Sequence, residues 1–261
     1  MKKRGTHSAK TRRLWAVLGV FFWIALWCIA ARFVGKEVLL PSPARVAVRL
    51  AELCRTAAFY QSVFNSLWRI LLGFAAGAFT AFCMALLAAR FAPLRGIIAP
   101  MMTVIRATPV ASFIILALVF LGKELVPGLI CFLMVLPVVY GAVGAGLESR
   151  DAQLCEMLKV FAVQPLARLR YYELPRLMHF FGAGCRTALG LAWKAGVAAE
   201  VLCTPARTIG KNLYDAKIYI ETVDVFAWTA VIVLLSLCFE ALLRLAFDKM
   251  AGGGKTNGHT D

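Results

Sequence analysis

The sequence predicts an all-α protein, a polytopic membrane helix bundle of about six transmembrane helices. Of the 261 residues, 61% are hydrophobic, and the mean hydropathy is +0.76. Soluble domains are roughly 45–50% apolar, and the 16% of charged residues here would not cover a soluble protein of this length. Apolar runs near the roughly 20 residues that cross a bilayer also recur along the chain.

Six apolar runs are long enough to be transmembrane helices. The first follows a basic segment, as in a signal peptide, but its apolar run from Leu14 to Ala31 can span, so we expect it to be retained. The fifth is the weakest because it contains Arg186, Lys194 and Glu200. The predicted spans are 14–34, 64–90, 97–121, 125–147, 179–203 and 225–246.

The basic residues predict the orientation of the spans. The net charge is +15, but the bases lie mostly between apolar runs, which favours membrane topology over nucleic-acid binding. With a cytoplasmic N-terminus, the inside segments hold 15 Lys or Arg and the outside segments hold eight. We therefore expect a basic cytoplasmic N-terminus (1–13), a transmembrane domain (14–248) and a flexible, Gly-rich cytoplasmic tail (249–261).

The first outside segment contains a helix signal. Ser42 can cap a helix, and Pro43 suits its first position. Val46, Leu50 and Leu53 then fall on one face. The pattern predicts a short amphipathic helix lying on the outer surface.

The loop at 148–176 is long, basic and helix-like. Leu154, Leu158 and Phe161 share one helical face, and Pro165 should stop this first helix, at 151–164, near Gln164.

A second short helical segment, 166–172, follows, and Pro175 marks the entry to the fifth span. The loop is therefore predicted to be a cytoplasmic helix–turn–helix hairpin. Its apolar ridge cannot bury itself in so small a loop, so it must lie on the membrane, pack under the bundle or enter a groove on a partner.

The chain lacks the motifs of an enzyme. Gly210-Lys211 looks like part of a phosphate loop, but Pro205 stands where the first Gly belongs and Asn212 follows. No His-Glu-x-x-His, Gly-x-Ser-x-Gly or metal-ligand spacing occurs. We expect no catalytic residue, no metal and no cofactor.

Charges within the spans are candidates for a translocation path. A charge at mid-membrane costs at least about 2.5–3.5 kcal/mol, so it should face protein or water. Lys194 could line such a path, pair with Glu240 or snorkel; Glu200, six residues on, points in a different direction. Arg106, close to a possible kink at Pro109, could line a gate or form a structural ion pair.

Small residues are dense in the second and fifth spans, which predicts close helix contact there. They are Gly73, Ala76, Gly77, Gly182, Gly184, Gly190 and Gly196.

The hairpin resembles the cytoplasmic signature of ABC importer permeases, which typically reads Glu-Ala-Ala, three residues, Gly, and later Leu-Pro. Glu156 matches the Glu, Met157 and Leu158 replace the alanines, and Ala162 replaces the Gly. Leu174-Pro175 matches the later pair. Four stretches, at 39–46, 66–79, 109–122 and 184–202, resemble the branch that imports nitrate, sulfonates and taurine, and the resemblance covers roughly 35–245.

In that family the hairpin carries the coupling helix, which docks on a separate ATP-hydrolysing subunit. The resemblance implies that Glu156 is a polar anchor, that Leu158 and Phe161 supply apolar contact, and that Ala162 keeps the helix surface low. The coupling residues implied are Glu156, Leu158, Lys159, Phe161, Ala162, Leu174 and Pro175.

The resemblance implies the permease subunit of an ATP-driven importer in a bacterial inner membrane, moving a small polar or anionic solute inward by alternating access. A homodimer, two ATPase subunits and an extracytoplasmic solute-binding protein are the implied assembly. The alternatives are an ion-coupled secondary transporter and a non-transporting scaffold. Co-purification with an ATPase would separate the importer from both.

Overall fold

A computed structural model of the chain describes residues 9–149 and 151–252, and every element among them is helical. Much of the predicted basic terminus (1–13) and tail (249–261) therefore lies outside the described residues. The helices are α1 Ala9–Val34, α2 Pro43–Leu53, α3 Ala57–Arg90, α4 Ala92–Ala107, α5 Val110–Phe120, α6 Val126–Glu148, α7 Ala152–Val160, α8 Pro165–Arg168, α9 Leu174–Cys203, α10 Ile209–Ile218 and α11 Thr222–Gly252. A π-helical turn, Leu169–Glu173, joins α8 to α9.

Three described helices are long and apolar enough to cross a membrane: α3, α6 and the Thr222–Leu242 part of α11. The bent pair formed by α4 and α5 makes a fourth if it counts as one span. The apolar part of α1, Leu18–Val34, is shorter, and α9, which carries four charged side chains, is not among the candidates. The polytopic helical class is thus confirmed, whereas the count of six spans stays a prediction.

The predicted third span is two helices rather than one. α4 ends at Ala107, α5 begins at Val110, and their axes differ by 104°. Pro109 lies at the break, where it lacks an amide hydrogen and disfavours a helical conformation at Thr108. The Thr108 hydroxyl donates to the Val104 carbonyl at 2.8 Å, which satisfies an acceptor at the end of α4. The kink expected at Pro109 is confirmed.

The described residues form two compact units, and the first holds residues up to Tyr60 together with Asn212–Val231. Arg49 on α2 binds Asp224 through two hydrogen bonds, Nε–Oδ1 at 2.6 Å and Nη2–Oδ2 at 2.9 Å. This pair raises the pKa of Arg49 above its ordinary value. The predicted cap of α2 is confirmed, since the Ser42 hydroxyl accepts from the Arg45 amide at 3.4 Å.

The second unit holds Gln61–Lys211 and the residues from Ile232 onward, and α6 and α9 pack tightly within it as an antiparallel pair. Glycines set the distance: a Cβ on Gly184 would lie 2.7 Å from that of Ala142, and one on Gly196 would lie 2.6 Å from the Cys131 sulfur. Gly146, near the hairpin, lies against the Phe180 ring. The close contact predicted from the small residues of the fifth span is therefore confirmed.

α3 runs parallel to α6 in the same unit and approaches it as closely. A Cβ on Gly73 would overlap the Gly128 carbonyl oxygen and lie 2.9 Å from the Cys131 Cβ. One turn further on, a Cβ on Gly77 would lie 2.8 Å from the Phe132 carbonyl oxygen. The second predicted span thus uses its glycines for backbone contact with α6.

Replacing Gly73 with Ala should destabilise the second unit, because the new methyl group meets backbone that cannot rotate away. We expect a loss of about 1–3 kcal/mol, the usual cost of overpacking, and a lower melting midpoint in detergent. Gly144→Ala is the matched control, since nothing lies within 4 Å of a Cβ at that position of α6. Equal melting midpoints for the two variants would contradict the close α3–α6 contact.

Candidate functional site

The loop between α6 and α9 begins with a capped helix. The Asp151 carboxylate accepts hydrogen bonds from the amides of Gln153 at 2.9 Å and Leu154 at 3.2 Å, which is the N-cap arrangement. α7 then runs from Ala152 to Val160. The predicted helix at 151–164 exists, but it ends earlier than expected.

The early end of α7 has a backbone cause. Ala162 has a φ of +48°, in the left-handed region that favours glycine. The Val163 amide donates to the Leu158 carbonyl at 3.1 Å, the bond that closes a Schellman motif when the left-handed residue lies just beyond the helix. Ala162 therefore lies outside α7, and the expectation that it keeps the helix surface low is corrected: it terminates the helix.

The second limb of the hairpin consists of α8 and the π-helical turn, and α9 begins at Leu174 with Pro175 in its first turn. Arg168 Nε lies 3.2 Å from Glu173 Oε1, and the Arg176 guanidinium lies 5.4 Å from the centre of the Tyr172 ring. These contacts tie the second limb to the start of α9. The helix–turn–helix prediction is confirmed.

The hairpin exposes an apolar surface. Val160 is 82% exposed, Phe161 73% and Tyr171 78%, whereas Leu154 and Leu158 are half-buried. Glu156 is exposed beside them, and the side chain of Lys159 lies outside the described part of the chain. We call the exposed set the hairpin patch; it consists of Met157, Val160, Phe161, Leu166 and Tyr171.

Lys194 lies on an exposed face of α9 together with Leu191, Ala198 and Leu202. None of the ion pairs among the described residues includes Lys194. Glu240 on α11 lies beside Gly190, which is one turn before Lys194 on α9. The Glu240 Oε1 atom is 3.8 Å from where a Cβ on Gly190 would be. The structure therefore leaves the Lys194 ammonium without a carboxylate partner among the described residues.

Arg106 occupies a notch on α6. Its Nη2 donates to the Pro137 carbonyl at 2.5 Å, and a Cβ on Gly141 would lie 2.7 Å from the same nitrogen. The ion pair considered for Arg106 is absent from those among the described residues. A backbone carbonyl accepts a hydrogen bond from the guanidinium instead, beside the break between α4 and α5.

Glu200 is fully buried near the end of α9. Its Oε2 atom accepts from the Ser66 hydroxyl at 2.7 Å and from the Gly210 amide at 3.1 Å. Ser66 in turn accepts from the Ile209 amide at 2.9 Å. Glu200 thus joins α9, α3 and the first turn of α10.

Sequence reasoning missed the partners of Glu200. Ser66 lies 134 residues away in the chain, so no local pattern links the two. The sequence does contain a local signal for the start of α10, because Thr208 is a residue type that caps helices. In the structure Thr208 precedes the first residue of α10, and its hydroxyl accepts from the Lys211 amide at 3.2 Å.

The sequence of the chain matches one known protein family. Residues 70–251, more than half of the chain, match the family described as binding-protein-dependent transport system inner membrane components. The chain belongs to this family. It is an ABC transporter permease, the inner membrane component of a binding-protein-dependent transport system.

Relatives of this permease are similar to it over most of their own length. A Brucella melitensis protein assigned as an ABC transporter permease is 28% identical, over 88% of this chain and 91% of its own length. A Bacillus subtilis protein assigned as an aliphatic sulfonates transport permease is 24% identical, over 87% and 83%. The taurine transport system permease of Escherichia coli is 25% identical, over 84% and 81%. These distant relatives confirm the resemblance to the sulfonate and taurine branch.

A solved structure shows the same fold. The crystal structure of an amino acid ABC transporter with histidines aligns with 77% of this permease and 97% of its own chain, at a TM-score of 0.63 and 16% identity. The helical architecture is therefore shared with a known transporter.

Replacing Ala162 with Gly should stabilise the hairpin of this permease. Glycine adopts the left-handed conformation without strain, which stabilises the folded hairpin, but it also loses more chain entropy on folding. Together these two effects should increase the stability of the hairpin by about 0.5–1 kcal/mol. Amide hydrogen exchange over α7 should then slow by about two- to fivefold. Ala183→Gly, inside α9, makes the same chemical change and should instead speed local exchange. Faster exchange of α7 in the Ala162 variant would contradict the assigned backbone.

Proposed function

We propose that this permease is the transmembrane subunit of an ATP-driven importer that moves a small polar or anionic solute inward by alternating access. The observation that carries the proposal is the hairpin patch, because it is apolar, exposed and positioned between two tightly packed helices. An exposed apolar surface of this kind is typical of a contact with protein or membrane, and we assign it to a protein partner. Members of the family are components of binding-protein-dependent transport systems. This description supports an ATPase and a solute-binding protein as partners of the permease.

The hairpin is suited to transmit movement from an ATPase subunit. Phe161 and Leu158 would enter an apolar cleft on that subunit, and Glu156 would supply a charged anchor at its edge. Leu174 and Pro175 would carry the shift into α9, and Lys159 belongs to the proposed set of coupling residues. A short capped helix between packed helices moves as a rigid body, as coupling by alternating access requires.

The proposed assembly is a homodimer of six-span subunits with two ATPase subunits at the hairpins. Lys194 supports a second copy, because a lone subunit would expose this charge on a mostly apolar helix face. A charge in hydrocarbon costs at least about 2.5–3.5 kcal/mol, which a shared water-filled path would avoid. Both termini would lie on the cytoplasmic side, where the hairpins meet the ATPases.

The proposed substrate is a small polar or anionic solute such as a sulfonate, nitrate or taurine-like molecule. The similarity to permeases assigned to aliphatic sulfonates and taurine supports this class. Lys194 would attract the negatively charged group of such a solute within the path. Arg106 and Glu200, the other two path candidates, have protein partners, so we assign them to holding the helices that surround the path.

Charge reversal at Glu156 tests the coupling. The permease is co-expressed with the ATPase subunits encoded nearest to it and reconstituted in proteoliposomes. Glu156→Lys should lower co-purification and the permease-dependent ATPase rate by about tenfold, equivalent to about 1.4 kcal/mol of lost contact. Glu221→Lys, an exposed acid far along the chain from the hairpin, is the control and should behave as wild type. Equal ATPase binding by all three proteins would exclude coupling through α7.

Removing the charge of Lys194 tests the substrate class. Lys194→Met should raise the KM for uptake of an anionic sulfonate by about tenfold, the loss expected for one desolvated charge contact, while the permease-dependent ATPase rate is retained. Lys36→Met removes a lysine outside the predicted spans and should leave uptake unchanged. An unchanged KM for sulfonate in the Lys194 variant would remove this residue from the path.

A further inference from the structure

The turn between α9 and α10 is held by a buried polar network at the end of the second unit opposite the hairpin. We call it the Glu200 clamp; it consists of Ser66, Glu200 and the amides of Ile209 and Gly210. One carboxylate oxygen, Glu200 Oε2, receives both the Ser66 hydroxyl at 2.7 Å and the Gly210 amide at 3.1 Å. Ser66 and Glu200 are both 0% exposed. The clamp therefore fixes the start of α10 to α3 and α9 within the buried interior.

The clamp uses amides that a helix cannot satisfy internally. Ile209 and Gly210 are the first two residues of α10 after its Thr208 cap, so their amides have no acceptor within the helix. A negative carboxylate is favoured there by the helix dipole. Gly210 is required for the approach, because a Cβ at this position would overlap Glu200 and lie 2.7 Å from the Val201 nitrogen.

The turn that the clamp holds has a strained backbone. Thr204 and Arg207 have φ values of +48° and +53°, and each such residue costs about 1–3 kcal/mol. Other contacts hold the turn from outside: Glu124 Oε1 accepts from the Ala206 amide at 3.1 Å, and Asn65 donates to the Arg207 carbonyl at 3.0 Å. Glu200 Oε1 is buried and has no donor among the described residues. Opening of the turn would relieve the backbone strain at Thr204 and Arg207 and would let water reach Glu200 Oε1. The closed turn is therefore poised to open.

One continuous helix connects the clamp to the hairpin. From Leu174 to Glu200, α9 extends about 39 Å at 1.5 Å per residue. Gly184 and Gly196 keep α9 in close contact with α6 along this length, and no break interrupts the helix between the hairpin and the clamp. A displacement at the hairpin would reach Glu200 along this helix.

We propose that Glu200 is a positioning residue of the transport cycle, which releases the 204–210 turn from α3 when α9 shifts. This inference rests on the proposed importer function. Release opens the end of the permease opposite the hairpin, and reformation of the two bonds to Oε2 closes it again. The carboxylate acts through its hydrogen bonds and has no contact with the solute.

A native cysteine reports on the turn. Cys203, one residue before the turn, is 4% exposed, packed with Ile114, Val126 and Ile130. In the permease–ATPase complex in nanodiscs, its modification by a charged maleimide is followed by mass spectrometry. In wild type, modification should be slow without nucleotide and at least about tenfold faster in the ATP-trapped complex. Cys131, buried in α6, serves as the internal reference for intact packing.

Two substitutions at Glu200 distinguish positioning from folding. Glu200→Ala removes the acceptor, so Cys203 should react without nucleotide as fast as in the ATP-trapped wild type, and nucleotide should have no further effect. Glu200→Gln keeps an amide oxygen that can accept both bonds, and should restore slow, nucleotide-dependent modification. Ser66→Ala, which removes one donor, should give an intermediate rate.

Several results would overturn the proposal. One is a Glu200→Ala permease with wild-type modification of Cys203; another is equal acceleration in the Gln and Ala variants. If Cys131 reacts in the Glu200→Ala variant, the packing of that variant is lost and it cannot be used as a test. The Ser66→Ala variant then serves as the test, and a wild-type rate of Cys203 modification in that variant would overturn the proposal. The measurements without nucleotide do not require ATPase activity. Suppose that the permease binds no ATPase, but that Cys203 reacts fast in Glu200→Ala and slowly in wild type and Glu200→Gln. That result would refute the importer function while supporting the role of the Glu200 clamp in holding the turn.

Discussion

The close antiparallel contact between α6 and α9 is the constraint on which the rest of the second unit depends. Gly146, Gly184 and Gly196 let the two backbones approach, and a bulkier residue at any of them would separate the helices. With that distance set, the loop that connects the two helices returns the chain from the end of α6 to the start of α9 through α7, α8 and the π-helical turn. At the other end, the same distance brings Glu200 close enough to α3 and α10 for their donors to reach it.

Much of the architecture could be predicted because its causes are local. Ser42 and Pro43 determine the start of α2, Pro109 breaks the third apolar run, and Pro165 and Pro175 divide the hairpin. The end of α7 could not be predicted, because the left-handed residue that closes it is an alanine and carries no conformational signature. The partners of Glu200 could not be predicted either, since Ser66 comes close only after three helices have packed.

Three charges within apolar helices looked alike in the sequence, and packing separates them. Arg106 finds a backbone carbonyl in a notch that Gly141 leaves open, and Glu200 finds a hydroxyl and a helix terminus. Lys194 finds no carboxylate among the described residues. Glu200 is buried and joins three helices, whereas Arg106 and Lys194 are exposed. Of these two exposed charges, Arg106 is anchored on a backbone carbonyl of α6, and Lys194 has no carboxylate partner among the described residues.

The break at Pro109 has a consequence for biogenesis. At 1.5 Å per residue, α4 is about 24 Å long and α5 about 17 Å, and each is shorter than the roughly 30 Å of hydrocarbon in a bilayer. Neither segment is a self-sufficient unit for the insertion machinery, because the unpaired backbone groups at the break need shelter from lipid. Stable insertion of this region therefore needs α4 and α5 together with α6, whose Pro137 carbonyl accepts from Arg106 beside the break.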